Sequence, residues 1–173
     1  MSKHFINHVR IFLLSAWLGV AIYFSAVVAP SVFRVLRSFS LSNANEIAGT
    51  IVTSTLSVVN TSGFVLSLLL LVITLLLRKN YGRASFMLQS GLLAIVALLT
   101  GLGEWVIAAR MRGLRAAMHG QIDQIALSDP NRMAFAALHG YSVAALSVAM
   151  IAALLAVALM VFASGRAGSL TTK

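Results

Sequence analysis

Glu46, Thr50, Thr53, Ser57 and Asn60 follow one another at intervals of 4, 3, 4 and 3 residues. On an α-helix that spacing puts all five on one face, while Ile47, Ile51, Val52, Leu56 and Val59 take the others. A polar stripe on an apolar helix turns away from lipid. It either hydrogen-bonds neighbouring helices or lines a polar cavity or permeation path, and the spacing alone leaves both uses open.

Glu104 closes a long apolar run and is followed by Trp105, a residue suited to the membrane interface. A carboxylate at a helix centre in lipid costs roughly 2.5–3.5 kcal/mol, and less near an end. Ile107 and Ala108 occupy the i+3 and i+4 positions, so its partner is expected from another helix, with Arg34, Arg37 and His139 as candidates. A structural ion pair and a carboxylate that handles a proton or cation are the two readings. His139 shares a face with Arg132, Phe135 and Ser142. A lone histidine can hydrogen-bond a neighbour, sit at the interface, or ligate haem or a metal.

The chain has no cysteine and no HxH or HExxH spacing, and its other histidines, His4, His8 and His119, fall elsewhere along it. Metal sites need several converging ligands, so no cofactor is expected, with haem or copper at His139 as the alternative. No phosphate-binding loop, dinucleotide fingerprint or nucleophile elbow is present, and no catalytic residue is assigned. Taken together, Arg34, Glu46, Thr50, Thr53, Ser57, Asn60, Glu104, Arg110, Arg112, His139 and Ser142 are expected to form one polar pocket closed by ion pairs.

The elements that must position these residues are membrane helices. Of 173 residues 60% are hydrophobic and 10% charged, with a mean hydropathy of +0.95. One soluble core of this size cannot hide so much apolar surface. Residues 11–33, 47–77, 84–103 and 133–165 lack any Asp, Glu, Lys or Arg. About 20 such residues span a bilayer, and the need to satisfy backbone hydrogen bonds in lipid makes each run a helix. The expectation is an all-α, integral membrane four-helix bundle in a single domain, residues 1–165. Its spans lie near 9–30, 44–78, 84–118 and 131–164, and a flexible polar tail covers 166–173. Pro30 is expected to end the first helix or mark its edge, and the first run is too long for a signal peptide. Gly63 divides a Thr/Ser-rich half of the second helix from an aliphatic half and suggests a bend or a close helix contact. Asp129-Pro130-Asn131 reads as a turn into the fourth helix.

The net charge is +9. Because the basic residues flank apolar runs, anionic lipid headgroups are the expected partner and nucleic acid is excluded. With four spans, one side holds Lys3, Arg10, Arg78, Lys79, Arg83, Arg166 and Lys173. The other holds Arg34, Arg37, Arg110, Arg112, Arg115 and Arg132 together with all four acids. The excess of Lys and Arg places both termini in the cytoplasm, with a bacterial inner membrane as the expected location. Small residues recur at helix-contact spacing: Ser15 with Gly19; Ala21, Ser25 and Ala29; Ala97 with Gly101; Ala136, Gly140 and Ala144. They favour a compact bundle and permit a homo-oligomer.

Two stretches carry a family resemblance. On the first span they are Trp17-Leu18-Gly19, Phe24 and Ala29-Pro30-Ser31-Val32-Phe33-Arg34; on the last, Phe135-Ala136-Ala137-Leu138-His139-Gly140-Tyr141-Ser142. In this order they resemble the transmembrane protein 205 family, small four-helix membrane proteins of unknown function. Ala48-Gly49 fits the same pattern. A Phe-Pro pair of the second helix is absent, with Leu56 nearby, and Ala144-Ala145 replaces an asparagine of the fourth. The resemblance implies a multi-pass bundle without an established enzymatic activity, in which Trp17, Gly19, Phe24, Pro30, Phe33, Phe135 and Gly140 are structural. More distantly the layout is similar to copper-resistance-D-like bundles, some of which handle haem or copper. Three functions stay open: binding or transport of a small solute or ion, a haem- or metal-dependent redox role, and a structural or assembly role.

Overall fold

The computed structural model describes residues 3–118, 120–122 and 124–169, and no strand occurs among them. The first helical rod is α1 (Lys3–Tyr23), a π-helical segment (Phe24–Val28) and α2 (Ala29–Ser38). The second is α3 (Ala44–Leu76), and a 3-10 turn at Arg78–Asn80 leads into the third. That rod consists of α4 (Arg83–Gly101), a second π-helical segment (Leu102–Ala108) and α5 (Ala109–Ala117). The fourth is α6 (Pro130–Ser169). Each rod is long and apolar enough to cross a membrane. α3 packs on α4, α4 on α6, α6 on α1, and α1 and α2 on α3, which closes a four-helix ring.

Helix boundaries follow local chemistry. Asp129 caps α6, its Oδ1 accepting from the backbone N–H of Asn131 at 2.8 Å and of Arg132 at 3.1 Å, and Pro130 occupies a first-turn position that needs no N–H. The first rod does not stop at Pro30 but continues to Ser38. The π segment just before the proline accounts for this: the Ala29 N–H bonds Phe24 O, five residues back. The coil is thus already widened where the ring enters it. α6 runs to Ser169, so the tail expected from 166 begins inside the helix, and residues 170–173 lie outside the described ones.

The core is a set of four seams with heptad-like spacing. Inward positions run Arg10, Leu14, Trp17, Ala21, Phe24 on the first rod and Asn60, Gly63, Ser67, Leu70, Thr74 on α3. They run Gln89, Leu93, Val96, Thr100, Gly103 on the third rod and Ser142, Leu146, Ala149, Ala153, Ala156, Met160 on α6. Alternating steps of three and four are the signature of left-handed, knobs-into-holes packing. The alanines of the α6 seam let its backbone approach α1 and α4 closely, which is how helices gain contact where lipid removes the hydrophobic drive between them. Outside the seams the rods expose Phe12, Val20, Tyr23, Leu76, Leu98, Leu154 and Phe162. Such an apolar exterior belongs in lipid.

Gly63 is a contact point, not a bend. A Cβ there would lie 2.6 Å from Trp17 Cζ2, and the ring is held in place by its Nε1 donating to Val59 O at 3.0 Å. Gly19, by contrast, has open space around it, so Ser15 and Gly19 face outward and make no helix contact. Gly63→Ala is expected to cost about 2 kcal/mol by overpacking and to lower the melting temperature by about 5 °C. Gly19→Ala should be neutral or stabilising. Thermal unfolding of the two variants in detergent, followed by circular dichroism, checks this; equal melting temperatures would contradict the Trp17–Gly63 fit.

Candidate functional site

The polar groups gather at two levels of the bundle. At the level of the π segment Leu102–Ala108, Glu104 is buried and its Oε1 accepts from Ser57 Oγ at 2.8 Å. Arg112 Nη1 lies 3.8 Å from the same oxygen, with its own side chain 57% exposed. Oε2 is buried without a hydrogen-bond partner. Asn60 is also buried here, its amide packed against Gly103, where a Cβ would meet Nδ2 at 3.1 Å. Trp105 turns outward and stacks edge-on with Phe64 at 4.7 Å between centroids.

The partner of Glu104 thus comes from α3 and from its own rod, not from Arg34, Arg37 or His139. Eight regular α-helical residues would leave Glu104 and Arg112 about 80° apart around the axis. The wider π turns between them reduce that offset, and the long arginine covers the rest. The inward face also moves by one residue across the segment. It leaves α4 through Gly103 and resumes through Glu104, Ala108, Met111, Arg115 and Met118. Uninterrupted, the α4 face would pass through Ile107, Arg110 and Leu114; instead Arg110 is exposed and Arg115 half-buried. Arg115 Nη2 pairs with Glu46 Oε1 at 2.5 Å, and its Nη1 also donates to Met118 O and Gly120 O.

Of the expected pocket residues, Glu46, Ser57, Asn60 and Glu104 lie on the α3–third-rod contact, Thr53 is half-buried beside them, and Ser142 is buried on the α6 seam. Thr50 is exposed and bonds Glu46 O at 2.9 Å. Arg34, Arg110 and His139 are exposed, and Arg112 is exposed but reaches Glu104, so the eleven do not enclose one pocket. Arg110 rims a shallow groove of about 430 Å³ with Gly113, Leu114, Ala134 and Leu138, away from the carboxylate. Among the described residues no three His, Cys, Asp or Glu side chains converge as a metal site would require. His119 and Asp123 lie outside the described residues. Trp17 and Phe24 are core residues, Phe33 is half-buried under the Arg37 guanidinium at 5.6 Å, Phe135 is half-buried, and Gly19, Pro30 and Gly140 face outward.

The second level holds the most buried charge among the described residues, one that the sequence reading counts only among the basic residues of the terminal side. Arg10 is 0% exposed. Its Nη1 donates to the Tyr81 hydroxyl and to Asn7 Oδ1 at 3.4 Å, and its Nη2 to Thr74 Oγ1 at 2.7 Å and Gln89 Oε1 at 3.3 Å. Nε is buried without a partner. The signal available in the sequence was that Arg10 stands seven residues before Trp17, and Thr74 and Ser67 continue the heptad of Asn60.

The family described as "Domain of unknown function (DUF4149)" matches residues 12–120, well over half of the chain. The chain belongs to that family. No curated protein and no solved structure matches it. The DUF4149 stretch contains α3, both π segments, Ser57, Asn60, Glu104, Arg112 and Arg115, while Arg10 and α6 fall outside it. The chain is therefore a multi-pass membrane protein of a family without an assigned activity.

Ser57 and Arg112 hold Glu104 with unequal strength. The half-buried hydroxyl bond to a charged oxygen is short, whereas the contact of the exposed guanidinium is screened and long. Ser57→Ala should destabilise the DUF4149 bundle by about 1 kcal/mol and Arg112→Ala by less than about 0.5 kcal/mol. Denaturation in mixed detergent orders the two, and a larger loss for Arg112→Ala would reverse the assignment.

Proposed function

We propose that this membrane protein binds and passes a proton or small monovalent cation, with Glu104 as the binding carboxylate. The observation that carries the reading is the buried, unpartnered Oε2 of Glu104, set among the neutral donors and acceptors of Ser57 and Asn60. A buried carboxylate oxygen without a donor is costly. A proton or a cation removes that cost, and the carboxylate then alternates between loaded and empty states. Its Arg112 contact is long and exposed, so it leaves the charge partly uncompensated and still able to load. The polar face of α3 supplies further oxygen ligands along the bundle.

The membrane arrangement that goes with this reading has both termini on the cytoplasmic face of a bacterial inner membrane. Support comes from the ion pairs of Glu104 with Arg112 and Glu46 with Arg115. They offset positive charge at the end opposite the termini, while Arg78, Lys79 and Arg83 crowd the turn on the terminal side. The short motifs of the first and last spans support a relationship to the transmembrane protein 205 family within this reading.

Reconstitution in vesicles carrying an internal pH or cation dye tests it. The wild type is expected to dissipate an imposed proton, sodium or potassium gradient faster than empty vesicles. Glu104→Gln should lose at least about tenfold of that excess, because the amide preserves shape and the Ser57 contact but can take up neither ion. Wild-type flux equal to that of empty vesicles for all three ions, or full flux in a folded Glu104→Gln, would overturn the proposal.

A further inference from the structure

Arg10 is a permanent cation, since a guanidinium does not lose its proton in proteins. Buried charges are normally paired with an opposite charge. Here the four groups that accept from Arg10 are an amide oxygen of Asn7, the hydroxyls of Thr74 and Tyr81, and the amide oxygen of Gln89, all neutral. Among the described residues the ion pairs are Arg112–Glu104 and Arg115–Glu46, both far along the chain from this level. Glu46, Glu104 and Asp129 all belong to the opposite half of the bundle, at or beyond the π segments. The Arg10 charge is thus compensated by neutral dipoles and by the Tyr81 ring, centred 5.8 Å from its guanidinium carbon, with no anion, and Nε, one of its five donors, has no partner.

The surroundings favour an anion. Tyr81 is contributed by the turn between α3 and α4, whereas Asn7, Thr74 and Gln89 stand on helices. Its hydroxyl is therefore the partner whose removal disturbs the bundle least, and it is half-buried at the surface. The same turn carries exposed Arg78 and Lys79, and exposed Arg83 opens α4 beside it, with Arg78 lying over the Phe86 ring at 5.4 Å. Three exposed cations within three residues of Tyr81 in sequence, and the buried guanidinium that its hydroxyl contacts, make this end of the bundle positive at the surface and within. A planar guanidinium fork matches a tetrahedral oxyanion through paired N–H donors.

We infer that Arg10, with Tyr81 and Gln89, is the seat of an oxyanion site of the phosphate class at the bundle end that carries the termini. The anion is either free phosphate or the phosphate of a lipid headgroup. On binding, the Tyr81 hydroxyl moves from acceptor of the Arg10 N–H to donor toward the anion, and Nε gains its missing acceptor. The site is independent of the carboxylate at Glu104, and its test does not read ion flux.

The experiment measures the melting temperature of the full chain, purified in neutral detergent, against inorganic phosphate, phosphatidylglycerol and phosphatidylcholine at constant ionic strength. A specific site at saturation raises it by about 5 °C. Response to phosphate and phosphatidylglycerol alike means that the oxyanion itself is bound. Response to phosphatidylglycerol alone assigns the site to the anionic headgroup, since phosphatidylcholine carries the same phosphate without net charge. Arg10→Met is expected to abolish the shift and, in the anion-free protein, to melt at or above the wild-type temperature, because it removes an uncompensated buried charge at similar volume. Tyr81→Phe, which leaves the helices untouched, should weaken the response by about tenfold in half-saturating concentration. No shift beyond that of chloride in the wild type would overturn the inference. So would a Tyr81→Phe response equal to wild type together with an Arg10→Met protein that is merely destabilised.

Discussion

α3 receives polar contacts from both the first and the third rod. Thr74 accepts from Arg10 of α1, Val59 O accepts from the Trp17 ring, Gly63 makes room for that ring, Ser57 bonds Glu104, and Glu46 pairs with Arg115. In lipid, helices have no hydrophobic drive toward one another, so close packing and interhelical hydrogen bonds must hold them. The α3 seam supplies both, alternating Asn60, Ser67 and Thr74 with Gly63 and Leu70. Ser67 and Thr74 return their hydroxyl protons to Gly63 O and Leu70 O on their own helix, so each polar side chain enters the core already partly satisfied.

The seam separates two charges that the membrane makes expensive. Glu104 sits where the third rod widens into π turns, with one oxygen held and the other bare. Arg10 sits toward the terminal end among neutral acceptors. The apolar and small residues between them, Leu14, Leu70, Leu93 and Ala156 among others, are fully buried. That mostly apolar middle separates the two charges along the bundle, so each must find its partner locally. The arrangement is intelligible if both groups meet something from outside the chain.

Much of this was legible in the residues. Four charge-free runs announced four helices, and intervals of 4 and 3 from Glu46 to Asn60 identified the face that meets the third rod. Gly63 was recognisable as a special position between two halves of the second helix. Three things were hidden. Arg10 lies just before the first charge-free run, so a count of flanking charges treats it as a headgroup contact, although its spacing to Leu14 and Trp17 continues the seam. Ser67 and Thr74 stand alone among leucines and valines, and hydropathy averages them away. The π segments leave no composition signal, because an extra residue in a coil is chosen by packing and not by propensity.

That last omission explains the misplaced arginines. Periodicity carried forward from Gly103 directs Arg110 inward, where the expected pocket included it. The π segment rotates α5 so that Arg115 reaches Glu46 while Arg110 lies outside. A single displaced residue therefore decides which cation neutralises Glu46, the acid of α3, and which is left to the membrane surface. It also buries Gly103 and Glu104 side by side, where the inward face passes from one residue to the next. A carboxylate turned inward within a π segment is a cost the fold carries locally, and such departures from regular geometry concentrate where a protein binds or moves something.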